Sequence, residues 1–251
     1  MAGAMSKTQI NKLGDRLRQG NITEADLRLL DEYRRTFTDA YEVVIGAIRK
    51  TLGLEPTGRP AKSTTSISDK LRRESIRLTQ IQDIAGCRLI VSDIAEQERV
   101  VQSLNSLFEH TAIIDRRQRP SHGYRAVHVI VECQGKLIEI QVRTSLQHLW
   151  AELSEKFSDV VDPAIKYGGG NENIQAILTT ASADVSNEEV VERVTADLQM
   201  QLSSKAVLTD GLKQKIVDVQ DSLGVLRQRL FEYLRLAIDL VEKGEHDAIS
   251  D

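Results

Sequence analysis

Apolar residues recur at helical spacing near the start of the chain and alternate with polar ones through its middle. Residues 7–19 predict a short helix. Asn21 or Thr23 can cap a second, longer one, in which Leu27, Leu30, Phe37, Tyr41, Val44, Ile48 and Leu52 recur at helical spacing. Gly53 fits the position just past its end. Residues 54–65, with Pro56, Gly58 and Pro60, read as a loop, and a helix over 66–78 follows, with Ser66 and Asp69 spaced as a capping box. There the period changes. Residues 86–92 predict a buried strand, 93–109 a helix with Ile94, Val101, Leu104 and Phe108 inward, and 112–115 an edge strand. Strands over 124–132 and 136–142 flank a turn at Cys133-Gln134-Gly135-Lys136. The rest reads as helix: 144–159, then, past a Lys166–Gly170 loop, a stretch from 171 with a second capping-box pair at Ser186 and Glu189, and a last long helix over 210–243.

This order predicts an α/β (α+β) protein with a mixed, twisted sheet of about five strands flanked by helices, and helical extensions at both ends. Three segments follow: N-terminal helices over 1–57, a central domain over 58–170 and a C-terminal helical extension over 171–251. The opening MAGAM reads as an appended leader before a native start at Met5 and is set aside.

Composition narrows the function classes. No apolar run approaches the ~18 residues of a membrane span, and no signal peptide is visible, so a cytoplasmic protein is expected. The net charge of -4 argues against a chain devoted to coating nucleic acid, yet leaves room for a local basic patch at Arg116, Arg117 and Arg119. Cys87 and Cys133 sit in apolar strand contexts and read as buried free thiols.

The candidate chemistry lies on the strands. Successive side chains of a strand point to opposite faces, so Glu139, Gln141 and Arg143 share one face while Ile138, Ile140 and Val142 share the other. By the same rule Tyr124, Ala126 and His128 share a face. An amphipathic strand with a solvated side explains either pattern alone. Together with Asp83 before the first strand and the nearby arginines, they form a set suited to a nucleotide and a divalent metal. Carboxylates hold Mg2+, arginines hold phosphates and the tyrosine ring stacks on a base.

Five pieces of sequence resemble, in order, the synthetase domain of the RelA/SpoT family, the bacterial alarmone synthetases. They are Lys62-Ser-Thr-Thr-Ser66-Ile67-Ser-Asp-Lys70, Asp83-Ile-Ala-Gly-Cys-Arg88, Gly123-Tyr-Arg-Ala-Val-His128, Glu139-Ile-Gln-Val-Arg-Thr144 and Gln147-His-Leu-Trp-Ala-Glu152. Two departures stand out. Pro60 takes the place of a family arginine, which leaves Arg59 displaced by one, and Lys156 stands near where many members have a histidine. The resemblance implies a nucleotidyltransferase-like fold in a small, stand-alone synthetase, because the helices before Ser66 carry no His-Asp metal motif. It implies transfer of the β,γ-pyrophosphate of ATP to the 3′-hydroxyl of GDP or GTP, making (p)ppGpp. Asp83 and Glu139 would be catalytic and hold Mg2+. Lys62, Ser66, Lys70, Arg88 and Arg59 would bind ATP, and Tyr124, His128, Gln141, Arg117 and Arg119 the acceptor. Arg125 and Arg143 are left to sheet packing or ion pairs, and Trp150 to the core.

Other readings remain open: the same donor chemistry on adenine nucleotides or on the tRNA 3′ end, or an inactive nucleotide-binding module. A general nucleotidyltransferase would need closely spaced acids on one strand, and no such pair is present. The last helix carries Ile216, Val219, Leu223, Leu226, Leu230, Tyr233, Ala237 and Leu240 at alternating three-four spacing, widened by Leu234, Ile238 and Val241. That seam either packs on the protein itself or joins copies of the chain. The family's small synthetases form homo-oligomers, so the resemblance implies self-association.

Overall fold

The computed structural model describes residues 5–203 and 210–250, so of the expected leader only Met5 is described. The elements run α1 (Lys7–Gln19), α2 (Glu24–Arg35), α3 (Thr38–Leu52), β1 (Thr57–Arg59), α4 (Thr64–Arg73), β2 (Ala85–Val91), α5 (Ile94–Leu107) and β3 (Thr111–Asp115). Then follow β4 (Val127–Cys133), β5 (Lys136–Thr144), α6 (Ser145–Val160), α7 (Glu172–Ser203) and α8 (Asp210–Ser250). The strands form one sheet in the order β1-β2-β5-β4-β3, the expected mixed five-stranded sheet with helical termini. By packing the chain divides into two compact units. The first comprises Met1–Leu89, Val101–Ile114 and His128–Gln141, the second Ile90–Val100, Asp115–Val127 and Val142–Asp251. Among the described residues no helix is long and apolar enough to cross a membrane.

The fifth strand is β1, inside the stretch expected to be loop. It pairs antiparallel with β2, with Thr57 opposite Arg88 and Arg59 opposite Gly86. Pro56 and Pro60 flank it, and prolines, lacking an N–H, confine so short a strand to a sheet edge. The β4–β5 turn is the expected one: Gln134 and Gly135 both have positive φ, as a two-residue turn matching strand twist requires.

In the first unit, Ile10, Leu13 and Leu17 of α1 are buried with Leu30 of α2, Val44 and Ile48 of α3, Ile67 and Leu71 of α4, and Leu78. The helix expected from 23 to 52 is two helices. At the break the Thr36 hydroxyl donates to the Tyr33 carbonyl (2.6 Å), competing with the helical ladder, and the Phe37 ring packs edge-on against Tyr33 (5.3 Å between centroids). Apolar periodicity continues across the break because both helices face the same core. The next helix starts at Thr64, not Ser66. Ser63 is its cap, its Oγ accepting from the Ser66 amide (3.2 Å), while Asp69 pairs with Arg72. It ends at Arg73 rather than 78, where the Arg18 guanidinium takes the Leu71 and Ile76 carbonyls (2.7 and 2.5 Å).

Thr23 caps α2 through a full capping box with Asp26, and Arg16 donates twice to the same carboxylate (2.9 and 2.6 Å). The hydrogen bond from Arg16, with those from Thr23, outweighs burial and lowers the Asp26 carboxyl to about 2. A carboxyl whose pKa falls on folding adds stability above its unfolded value and loses it as pH falls toward the folded one. Asp26→Asn removes the charge that closes the capping box and receives Arg16, and is therefore expected to cost ~1–2 kcal/mol at neutral pH. The gap to wild type should narrow between the ordinary value of 3.8 and about 2. Denaturant titrations at stepped pH check this; a gap independent of pH would contradict it.

In the second unit, Trp150 of α6 donates to the Leu178 carbonyl of α7 (2.8 Å) within a core of Leu146, Leu149, Leu153, Leu178, Val185, Leu234 and Ile238. Trp150 is thus core, as expected. Leu230, Leu234, Ala237, Ile238 and Val241 of α8 pack here, so this part of the seam is intramolecular. The side chain of Ile216 lies outside the described residues. Val219, Leu226, Tyr233 and Leu240, seven residues apart, are each more than half exposed. The capping box expected at Ser186 and Glu189 is not a helix start: both lie inside α7, which Asn171 begins by accepting from the Asn173 and Ile174 amides (2.9 and 3.2 Å). Cys87 is buried as expected, but Cys133 is only half-buried; both are free thiols.

Candidate active site

The first unit gathers two carboxylates. Asp83 lies in the turn that leads into β2, and the backbone fixes its neighbour: the Lys62 amide donates to the Ile84 carbonyl (2.7 Å), which sets Lys62 beside Asp83. The Lys62 ammonium reaches Asp83 Oδ2 (2.5 Å), and Lys70, one turn into α4, reaches Oδ1 (2.9 Å). Burial by itself would raise the Asp83 carboxyl. The charges of Lys62 and Lys70, with their hydrogen bonds, outweigh it and hold the carboxyl below its ordinary value. Two of the expected phosphate ligands are therefore counter-ions of the expected metal ligand.

Glu139 stands on β5 between buried Ile138 and Ile140, as the alternation requires. His128 Nδ1 lies 2.8 Å from its Oε1, and Gln141 Nε2 donates to its Oε2 (2.7 Å). Here too burial raises the carboxyl. The hydrogen bond and charge of His128, with the bond from Gln141, overcome both burial and the repulsion of Asp83, so Glu139 is held low. That repulsion places the two carboxylates within electrostatic reach of each other. Two partly buried, ionised carboxylates are the hard oxygen donors that a Mg2+ ion takes, one or two at a time alongside phosphates and water. Gly86 of β2 lets the backbone of β5 come close: a Cβ there would sit 2.7 Å from the Glu139 carbonyl oxygen.

The remaining expected ATP ligands also lie in the first unit. Arg88 is half-buried on β2, Arg59 ends exposed β1 opposite Gly86, and Ser66 lies in the first turn of α4, its hydroxyl accepting from Ser63 (2.8 Å). His128 and Gln141, expected on the acceptor, both bond Glu139.

The second unit holds Tyr124, which precedes β4 rather than opening it. His122 and Gly123 have positive φ (52° and 87°), and the Tyr124 amide closes a turn on the Ser121 carbonyl (3.0 Å). A Cβ on Gly123 would meet the Trp150 ring at 2.7 Å, so the backbone there must be glycine. The Ser182 hydroxyl of α7 donates to the Gly123 carbonyl (2.7 Å). Arg143 donates to the Tyr124 hydroxyl (3.0 Å), and its guanidinium lies 5.0 Å from the ring centre.

Arg125 forms a buried two-pronged ion pair with Glu189 of α7 (2.9 and 2.5 Å), to which Gln147 also donates (2.8 Å). The basic patch is split. Arg117 is held by Asp115 (2.7 Å) and by Gln97 (3.1 Å), whereas Arg119 is exposed. Nothing local in sequence marks Glu189 or Ser182, which lie 64 and 59 residues beyond their partners. The strand alternation did put Arg143 on the polar face, but not its burial against the tyrosine.

A family profile described as the region found in RelA/SpoT proteins matches residues 58–158. The chain is 30% identical over 229 residues to an uncharacterised protein of Mycobacterium tuberculosis, covering 84% of each. It is 30% identical over 159 residues to the GTP pyrophosphokinase YjbM of Bacillus subtilis, covering 57% of this chain and 72% of that one. The crystal structure of the small alarmone synthetase 1 from Bacillus subtilis has the same fold, with a TM-score of 0.52 and 23% identity over 71% of this chain and all of that one. With five motifs in order, two ionised carboxylates beside the sheet and a relative of this kind matched over most of its length, the chain belongs to the RelA/SpoT family.

Proposed function

We propose that the protein is an ATP-dependent pyrophosphokinase that acts on the 3′-hydroxyl of GDP or GTP and makes (p)ppGpp. The observation that carries this is the pair of partly buried carboxylates in the first unit, Asp83 bonded by Lys62 and Lys70 and Glu139 bonded by His128 and Gln141. Kinship with a protein named a GTP pyrophosphokinase supports the guanine acceptor.

In this proposal the acceptor 3′-oxygen attacks the β-phosphorus of ATP. The bond from the β-phosphorus to the oxygen bridging it to the α-phosphorus breaks, and AMP leaves. Mg2+, held by Asp83 and Glu139, would offset charge on the triphosphate. Glu139 is also within the right chemistry to take the proton of the 3′-hydroxyl, and His128 and Gln141 hold it in one orientation for that step. Lys62 and Lys70, on flexible stems, would exchange Asp83 for the donor phosphates, with Ser66, Arg88 and Arg59 adding donors to the same anion. Tyr124 would stack on the acceptor base. Arg119, the exposed member of the basic patch, would contact an acceptor phosphate. Arg117 is committed to Asp115.

Labelled ATP and Mg2+ offered with GDP, GTP, ATP or tRNA as acceptor test the assignment. Label on the guanine nucleotides is expected. Label on an adenine nucleotide or tRNA instead would change the acceptor, and no label on any would make the protein a nucleotide-binding module.

Self-association belongs to the same proposal. The outward residues Val219, Leu226, Tyr233 and Leu240 of α8 keep a seven-residue spacing, and apolar burial of ~1.5–3 kcal/mol per side chain would suffice for a stable contact. Leu226→Glu with Leu240→Glu is expected to give a soluble species of smaller mass by light scattering. A wild type that already runs as a monomer at micromolar concentration would contradict it.

A further inference from the structure

We infer that Arg143 is a positioning residue for the acceptor: it fixes the ring of Tyr124 from beneath. The inference rests on the proposed stacking of Tyr124 on the acceptor base.

Arg143 is 3% exposed, a rare degree of burial for a guanidinium, and it meets Tyr124 in two ways. Its planar group lies 5.0 Å from the centre of the Tyr124 ring, and one of its N–H groups donates to the Tyr124 hydroxyl at 3.0 Å. The first contact sets which face of the ring is covered. The second anchors the hydroxyl end and so fixes the direction in which the ring points, while rotation about the ring's own axis is restrained by the first. A flat, always-charged fork can do both at once, which a lysine cannot.

The backbone that carries the ring is fixed by other means. Gly123 has a φ of 87° and no room for a Cβ beside Trp150, and Ser182 holds its carbonyl. With the main chain pinned and the ring held by the guanidinium, the part of the half-buried ring that remains exposed is offered to a base in a single orientation. The entropy of ordering the ring is then met on folding rather than on binding.

The test compares wild type, Arg143→Met, Tyr124→Ala and the double variant. It uses whichever of GDP, GTP and ATP the wild type pyrophosphorylates best, and calorimetry of that acceptor supplies a dissociation constant beside KM. Arg143→Met is expected to raise the acceptor KM and Kd roughly tenfold, within the range of a desolvated cation–ring contact. The KM for ATP should move less than about twofold, and the acceptor effect should vanish when Tyr124 is already alanine. Equal effects on both substrates, or an undiminished effect in the Tyr124→Ala background, would make Arg143 merely structural. If the methionine variant melts below the assay temperature, Arg143→Lys is read in the same way, with a smaller selective rise expected. A selective rise with Tyr124→Ala but none with either Arg143 variant overturns this inference alone. No rise with Tyr124→Ala overturns the stacking assignment and the inference with it.

Discussion

Glu139→Gln is expected to lower kcat ~10²-fold or more while leaving the melting temperature nearly unchanged. The substitution keeps size and shape and removes one charge. Its hydrogen bonds can be remade: Gln141 can turn its amide to offer the oxygen, and His128 Nδ1 can donate or accept according to its tautomer. The cost in stability is therefore expected to stay below ~1 kcal/mol. What cannot be remade is a full negative charge facing a cation and a hydroxyl proton. Asp83→Asn is expected to lose as much rate and to melt lower as well, because Lys62 and Lys70 would be left facing each other across an amide. Chelating Mg2+ should reproduce the rate loss without the stability loss. Turnover near wild type in the Glu139→Gln protein would remove Glu139 from the chemistry.

The largest stability effect is expected in the second unit, at Glu189. It is 3% exposed and is the counter-charge of Arg125. Taking away one partner of a buried pair strands the other, so Glu189→Ala is expected to cost ~3–5 kcal/mol, or roughly 10 °C in melting temperature. Replacing both partners by methionine should recover much of that loss, because no charge is then buried alone. Thermal and denaturant unfolding of the two single variants and the double check this. A double variant no more stable than the singles would mean that the pair is a net source of stability.

These two sites differ in how far the sequence discloses them. Glu139 could be found because β5 alternates strictly, and Asp83 because it sits at the mouth of a buried apolar run. The period of two fixes which residues share a face, and the five ordered motifs supply their chemistry. What surrounds them is harder to read. Lys62 meets Asp83 through a backbone hydrogen bond between the loop before α4 and the turn before β2, and no local pattern encodes that bond. Gln141 shares a strand face with Glu139 in the pattern, but His128 lies on another strand, and only the packed sheet brings it onto Glu139. The Thr36–Phe37 break is hidden because two helices facing one core keep a common apolar phase. Glu189 even reads as a helix cap, since its spacing from Ser186 is that of a capping box and its true partner lies 64 residues away. Three-residue β1 is too short to show a period at all.

The central claim is attack at the β-phosphorus of ATP, and the co-product reports it. Phosphorus NMR of a reaction holding ATP, Mg2+ and GDP should show one AMP released for each GDP consumed, with a new pyrophosphate on the 3′-oxygen. ADP as the co-product would mean transfer of a single phosphoryl group, and free pyrophosphate would mean nucleotidyl transfer; either would contradict the account.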